Sequence, residues 1–129
     1  MKTKRDIPVK KTSRTTGQLG ETIAATYLVQ QGYEILRTNW HCPQGEIDIV
    51  AQSGDLLVFV EVKTRRRHSS ETAFAAVTPR KRERLIAAAY AYLQTHQCED
   101  MNWRIDVIAV TLHAAKQPEI EHAEDALDW

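Results

Sequence analysis

Two neighbouring segments of the chain alternate apolar and charged side chains, as half-buried strands do. Residues 45–51 read GEIDIVA and residues 59–63 read FVEVK, and the strands that contain them are expected to span roughly 46–51 and 56–64. This period of two places one apolar face against a core. The link between the segments contains Gly54-Asp55, a dipeptide favoured in two-residue hairpin loops. We therefore predict a β-hairpin formed by these two segments.

The register of this hairpin sets two carboxylates against each other. With Gly54-Asp55 as the loop, Ser53 faces Leu56, and Asp48 falls opposite Glu61. Like charges directly opposite each other on an antiparallel pair of strands repel. A divalent cation bound between the two carboxylates would replace this repulsion by attraction to the ion. The pattern therefore indicates a metal site. The alternative is a solvated hairpin face whose acids are simply exposed.

Two long helices are predicted on either side of the hairpin. The first begins at Thr15 or Thr16 and ends near Gln31, and its buried stripe comprises Leu19, Ile23, Tyr27 and Leu28. The second begins at Thr78-Pro79, with Thr as N-cap and Pro in the first turn, and runs to about His96. Its predicted buried residues are Leu85, Ala89, Tyr92 and Leu93.

The other segments predict strands and loops. Tyr33–Thr38 and Trp103–Leu112 are expected to be strands, with a further short strand near Ile120. Loops are expected at Asn39–Gln44 and Arg65–Thr78, the latter with a helical turn at 71–76. The order α-β-β-β-α-β predicts an α/β (α+β) fold, in which helices flank a mixed β-sheet.

Composition indicates one globular domain. The chain has 129 residues, 43% of them hydrophobic, which suffices for one core. Residues 1–14 lack apolar periodicity and are predicted to be a flexible basic tail before a single domain at 15–129. Cys42 and Cys98 have neither disulfide-framework nor zinc spacing. With no signal-peptide pattern and no membrane-length apolar run, we expect a cytoplasmic protein without a membrane partner.

Basic residues are clustered although the formal net charge is zero. Arg65, Arg66 and Arg67 follow the second hairpin strand directly. A second cluster occupies the first turns of the second long helix and comprises Arg80, Lys81, Arg82 and Arg84. Cations are unfavourable at that end of a helix dipole, whereas helix N-termini bind phosphates. Both clusters therefore predict contacts with a nucleic-acid backbone, and the alternative for each residue is a solvated basic surface.

The hairpin and the start of the first helix resemble known nucleases. Asp48, followed after twelve residues by Glu61-Val62-Lys63, is similar to the active-site hairpin of the PD-(D/E)xK nuclease superfamily. Gly17-Gln18-Leu19-Gly20-Glu21 resembles the helix start of archaeal Holliday-junction resolvases. Residues 45–48 (GEID) together with residues 59–65 (FVEVKTR) resemble the YraN-like family of small bacterial proteins. The resemblance extends over residues 17–110.

This resemblance implies a restriction-endonuclease-like core and a set of site residues. Asp48, Glu61, Lys63 and Glu21 would be catalytic. Asp48, Glu61, Glu21 and the main-chain carbonyl of Val62 would hold Mg²⁺ or Mn²⁺, cations that prefer oxygen ligands. Lys63 would contact the scissile phosphate, and its alternative role is an ion pair with Glu46. For Glu21 the alternative is a first-turn acid that is favoured by the helix dipole.

The expected activity is that of a Mg²⁺-dependent endonuclease acting on nucleic acid, and the resolvase likeness implies branched DNA and a homodimer. The alternative is a non-catalytic nucleic-acid-binding module on the same fold.

Two further residues have roles that the sequence leaves open. Trp40 could stack on a base or complete a core edge. Asp106, which lies in a recurring segment of the family, is expected to pair with a basic residue.

Overall fold

Seven helices and strands follow one another along the chain. The computed structural model of the protein describes residues 13–67 and 77–126. The elements are α1 (Ser13–Gln30), β1 (Glu34–Cys42), β2 (Gly45–Ser53), β3 (Leu56–Arg66), α2 (Pro79–Thr95), β4 (Asn102–Leu112) and β5 (Glu119–Ala123). The predicted order is confirmed, and β5 is the short strand expected near Ile120.

The five strands form one mixed sheet in the order β1-β2-β3-β4-β5. Neighbouring strands are antiparallel except β3 and β4, which run parallel over eleven residue pairs from Leu56↔Asn102 to Arg66↔Leu112. Parallel neighbours need a long crossover, and α2 lies within that connection. A mixed sheet with flanking helices is the architecture expected for a restriction-endonuclease-like core, and this prediction is confirmed.

Each face of the sheet is covered by one helix. On one face α1 packs through Ala24 and Leu28 against a cluster that includes Ile49, Val58, Val60, Ile108 and Val110. On the other face α2 packs against the sheet through Leu85, Ala88, Ala89, Tyr92 and Leu93. Neither helix of the described residues has the length and apolar character to cross a bilayer.

The β2–β3 hairpin has the predicted register. Ser53 faces Leu56, and the ladder continues in this register to Ile49↔Val60. Gly54 has a φ of 59°, in the left-handed region that glycine tolerates without strain. The predicted two-residue loop and the facing pairs from Ser53–Leu56 to Ile49–Val60 are therefore confirmed.

The predicted loop at Asn39–Gln44 is wrong. β1 continues through Cys42, which pairs with Gly45, and only a two-residue turn separates β1 from β2. Asn39 has a φ of 53°, a conformation that asparagine adopts more readily than most residues. Trp40 lies on this extension of β1 and packs edge-on against Tyr92 of α2, so its core-edge interpretation is confirmed.

Two further boundaries differ from expectation. β3 extends through Arg66 because it stays paired with β4, so the first residues of the predicted loop at Arg65–Thr78 are strand. The helical turn expected at 71–76 lies outside the described residues. α1 begins at Ser13 rather than at Thr15 or Thr16, and only residues 13 and 14 of the predicted tail are described. Leu19 is 50% exposed, so its predicted burial is wrong.

Candidate active site

A cleft of about 510 Å³ opens between the β2–β3 hairpin and the first turns of α2. Its position follows from the two elements that the sequence predicted most clearly, the hairpin and the Thr78-capped helix. Thr78 accepts a hydrogen bond from the Lys81 N–H, which fixes where α2 begins. The charged side chains lining the cleft are His41, Glu46, Asp48, Glu61, Lys63, Lys81 and Arg84.

Asp48 lies at the bottom of this cleft and is only 7% exposed. The β2–β3 ladder ends one pair before Asp48 and Glu61, and the Val62 N–H donates to Asp48 Oδ2 at 2.8 Å. Burial, and then the nearby charge of Glu61, raise the pKa of Asp48 to about 8, although the Val62 hydrogen bond opposes the shift. The predicted juxtaposition of two acids is therefore present, in a buried setting.

Lys63 lies beside these acids. Its Nζ is 2.9 Å from Glu61 Oε2, and both side chains are mostly buried. Burial opposes the charged form of Lys63, but the ion pair with Glu61 outweighs it and raises the pKa of the ammonium. The alternative role of Lys63, an ion pair with Glu46, does not match the structure, because Glu46 instead contacts His41 at 3.2 Å. Lys63 pairs along its own strand rather than across the hairpin.

Lys81 brings a second ammonium to the same place. It is within hydrogen-bonding reach of Lys63, and this contact, together with the like charge, lowers the pKa of Lys81. The sequence predicted Lys81 only as a nucleic-acid contact on α2. Its position next to Lys63 follows from the packing of α2 on the hairpin, a relation between distant segments that no local pattern contains.

Glu21 reaches the acids from α1, which lies on the opposite face of the sheet. A Cβ at Gly20 would overlap the Thr64 side chain, so glycine allows α1 to lie directly against β3. Burial raises the pKa of Glu21, a hydrogen bond with Asn39 lowers it, and the charges of Glu46 and Glu61 raise it further. Glu21 does not line the cleft, but its negative charge also raises the pKa of Asp48.

The donor set fits a small divalent cation. The charges of Glu46 and Glu61 raise the pKa values of Glu21 and Asp48, and the charge of Glu21 also raises that of Asp48, which indicates a local excess of negative charge. No three His, Cys, Asp or Glu side chains of the described chain form a complete ligand set. Mg²⁺ requires fewer protein ligands than this, since one or two carboxylates suffice when waters and substrate phosphates complete its coordination. Asp48 and Glu61, with the Val62 carbonyl, are the residues that could hold it.

The predicted nucleic-acid contacts divide between two places. Lys81 and Arg84 line the cleft, while Arg80 is exposed and Arg82 half-buried on α2. Arg65 Nε donates to Thr111 Oγ1 at 3.1 Å. Arg66 and Arg67 are exposed at the end of β3, where Arg66 donates to Thr16 Oγ1. The structure thus brings part of the α2 cluster, and not the arginine triplet, to the candidate active site.

A second buried aspartate lies elsewhere on the sheet. Asp106 accepts hydrogen bonds from both Nε and one terminal nitrogen of Arg104 and from the Asp125 N–H. His122 Nε2 lies 2.7 Å from its Oδ2, and His122 Nδ1 lies 3.0 Å from the Tyr27 hydroxyl. The expected pairing with a basic residue is confirmed. The wider network was missed, although a lone acid inside an apolar strand was a signal for it.

Comparison with known proteins places the chain in a family. The model of the uncharacterised protein family UPF0102 matches residues 20–110, an interval that contains all four predicted catalytic side chains. A UPF0102 protein of Dehalococcoides mccartyi is 45% identical over 88% of this chain and 93% of its own length. One from Geotalea daltonii is 43% identical over 92% and 94%, respectively. This confirms the YraN-like resemblance at the level of the family. The chain belongs to the UPF0102 family.

Proposed function

We propose that this protein is a metal-dependent endonuclease that hydrolyses phosphodiester bonds in nucleic acid. One observation carries the proposal: a buried Asp48, whose pKa is raised to about 8, stands beside Glu61 and Lys63 in a cleft that also exposes two cations of α2. Titratable groups with strongly perturbed pKa values in a cleft are typical of functional sites. A purely structural hairpin gains nothing from holding these acids together.

Mg²⁺ or Mn²⁺ fits the carboxylates of Asp48 and Glu61. When bound, such an ion supplies positive charge that polarises the phosphate and lowers the pKa of a water. The role of Asp48 is to provide a carboxylate that has only one hydrogen bond of its own in the described chain, from the Val62 N–H. Glu21 adds negative charge from the α1 side, which strengthens the attraction of the site for a cation.

Lys63 is suited to stabilise the charge that develops on the phosphate. Its ammonium is held next to Glu61, and in a partly buried position such a donor stabilises charge more strongly than it does in bulk water. Lys81 and Arg84 line the opposite wall and can bind the flanking phosphate oxygens. Hydrolysis itself requires only water: its oxygen bonds to phosphorus, the bond to the leaving oxygen breaks, and that oxygen receives a proton.

Branched or otherwise structured DNA is the substrate that the resolvase likeness favours, and a homodimer would cut two strands symmetrically. We further propose a cytoplasmic location, which suits two cysteines that are both unpaired. The proposals of a branched-DNA substrate and of a homodimer rest on the family resemblance rather than on the cleft itself.

The experiment is a cleavage assay on labelled single-stranded, duplex and four-way-junction DNA and on RNA. It compares Mg²⁺, Mn²⁺ and EDTA for wild type, Asp48→Asn and Lys63→Gln. Asp100→Asn, a substitution at an exposed position in the turn before β4, is the matched control. We expect metal-dependent cutting by wild type and by the control, with little or none by the two site variants.

A different result would select the other candidate function. If no substrate is cut under any condition, while binding persists in all four proteins, the protein is a nucleic-acid-binding module on a nuclease-like fold. Cutting that survives Asp48→Asn would remove the cleft from the mechanism altogether.

A further inference from the structure

A second cleft lies at the far end of β3. It has a volume of about 390 Å³ and is formed where β3 ends beside the turn from β4 to β5. Three cationic side chains line it, those of Arg66, Arg67 and Lys116, and the described lining residues include no carboxylate. We call it the β3-end cleft.

His113 is the unusual residue of the β3-end cleft. Its side chain is only 6% exposed, and neither ring nitrogen has a hydrogen-bond partner within the described chain. Glu119 Oε2 lies 3.3 Å from Nε2, close enough for an ion pair with a charged ring but not aligned as a hydrogen bond. Buried polar groups without partners are costly and rare. Both ring nitrogens are buried, so a partner in the cleft can reach one of them only after the ring turns toward it.

The β3-end cleft lies on the same strand as the candidate active site. Arg66 pairs with Leu112, and the Arg67 N–H donates to the Leu112 carbonyl at 3.0 Å, which places the following residue, His113, beside the end of β3. Lys63 precedes Arg66 by three residues, a distance of about 10 Å along a strand.

We propose that the β3-end cleft binds a backbone phosphate of the nucleic acid other than the one whose bond is cut. Lys116, Arg66 and Arg67 supply positive charge, and the His113 ring supplies a hydrogen-bond donor after a small rotation into the cleft. Glu119 approaches Lys116 at 3.9 Å and His113 at 3.3 Å, so the phosphate competes with this carboxylate. The inference rests on the proposed function, since it assigns another phosphate of the same substrate.

Binding measured without cleavage tests the proposal. Fluorescence anisotropy of labelled single-stranded and duplex DNA is recorded in EDTA over a range of salt concentrations for the full chain. Lys116→Gln removes one cation from the cleft, and Arg37→Gln removes one from β1 at the other edge of the sheet. We expect Lys116→Gln to weaken binding about eightfold at about 0.1 M salt and to reduce the salt slope by about 0.9. Arg37→Gln should change neither quantity.

Inorganic phosphate provides a second probe that does not depend on nucleic acid. The ring signals of His113 are followed by NMR during a phosphate titration, with His96 and His122, which line neither cleft, as reference rings. We expect a saturable shift of His113 alone, weakened in Lys116→Gln. His113→Phe, which keeps a ring of similar size, should weaken DNA binding several-fold. Equal shifts at all three histidines, or equal DNA affinities of Lys116→Gln and Arg37→Gln, would overturn the proposal.

The two proposals fail in different ways. If the protein cuts DNA but Lys116→Gln binds and cuts as wild type does, the nuclease stands and the phosphate site falls. If phosphate and DNA bind with the expected dependence on Lys116 but no substrate is cut, the phosphate site stands and the nuclease falls.

Discussion

Two aspartates are buried on opposite faces of the same sheet, and they have opposite properties. Asp106, on β4, has no exposed surface and receives hydrogen bonds from Arg104, from the Asp125 N–H and, through a 2.7 Å contact, from His122. Asp48, on β2, is almost as buried but accepts a single described hydrogen bond, from Val62. Burial alone therefore does not determine the protonation state of either carboxyl group.

The partners decide the direction of each pKa shift. Burial would raise the pKa of Asp106, but the hydrogen bonds from His122 and Arg104 outweigh it and lower the pKa. At Asp48 burial and the charge of Glu61 act together and raise the pKa to about 8. Asp106 has its positive partners built into the fold. The ammonium beside Asp48, that of Lys63, is held by Glu61, and this leaves the Asp48 carboxylate ready for a cation from solution.

Replacing Asp48 tests the catalytic side of this contrast and has the largest expected effect. Asp48→Asn keeps the shape of the side chain but removes the charge that would hold the metal. Losing several kcal/mol of transition-state stabilisation corresponds to a cleavage rate about 10³-fold lower or more. The measurement is a single-turnover cleavage assay in Mg²⁺. A rate within about tenfold of wild type would contradict the assignment of Asp48 as a metal ligand.

Replacing Asp106 tests whether this aspartate stabilises the fold rather than taking part in catalysis. Asp106→Asn leaves Arg104 and His122 without their anionic partner, and breaking such a buried pair costs about 3–5 kcal/mol. Urea unfolding at neutral pH measures the loss, with the exposed substitution Asp100→Asn as the matched control. Cleavage per folded molecule should stay unchanged. If cleavage falls while the free energy of unfolding does not, Asp106 belongs to the active site instead.

Asp48→Asn should also stabilise the metal-free protein. A raised folded-state pKa means that the folded protein binds the proton more tightly, so wild type loses stability as the pH rises from about 4 to about 8. The neutral amide avoids this loss. We expect a gain of about 1–3 kcal/mol in EDTA at about pH 8, and none near about pH 4.

Thermal unfolding with and without Mg²⁺ checks the same point. Ligands that bind only the folded state raise Tm by mass action. Mg²⁺ should therefore raise the Tm of wild type and not that of Asp48→Asn. An equal rise in both proteins would show that the ion binds elsewhere.

The smallest expected effect is the acid dependence of Asp106. Its lowered pKa gives stability that is complete above the unfolded-state pKa of about 3.9 and is lost as the pH falls through the folded-state value. Urea unfolding of wild type and Asp106→Asn from about pH 7 to about pH 3 should show two curves that converge only at the acid end. A constant difference throughout would mean that Asp106 is not ionised in the folded protein.

Local patterns predicted most of the fold. The Gly54-Asp55 loop fixed the register of the hairpin, and Thr78-Pro79 fixed the beginning of α2. The end of β1 could not be predicted in this way, because Cys42-Pro43 suggested a break whereas pairing with β2 and the left-handed Asn39 carry the strand onward. Leu19 was misplaced because the buried face of α1 is centred on Gly20, Ala24 and Leu28, whereas the spacing of the large apolar side chains indicated a stripe that includes Leu19.

The candidate site was predictable only as far as one hairpin reaches. Asp48, Glu61 and Lys63 lie within sixteen consecutive residues, so register alone brings them together. Lys81 joins them through the packing of α2, and Glu21 through the close approach of Gly20 to Thr64. The ion pair of Lys63 with Glu61 depends on a side-chain conformation, which strand alternation does not determine.

The two outer strands of the sheet bear on how the protein stays dispersed in solution. With a formal net charge of zero and a sequence pI near 7, molecules repel one another little at neutral pH. Unpaired strand edges are templates for aggregation, and charged side chains on them discourage it. β1 carries Glu34 and Arg37 at exposed positions, and β5 carries Glu119 and Glu121. Colloidal stability near neutrality thus depends on where a few edge charges lie, and not on their sum.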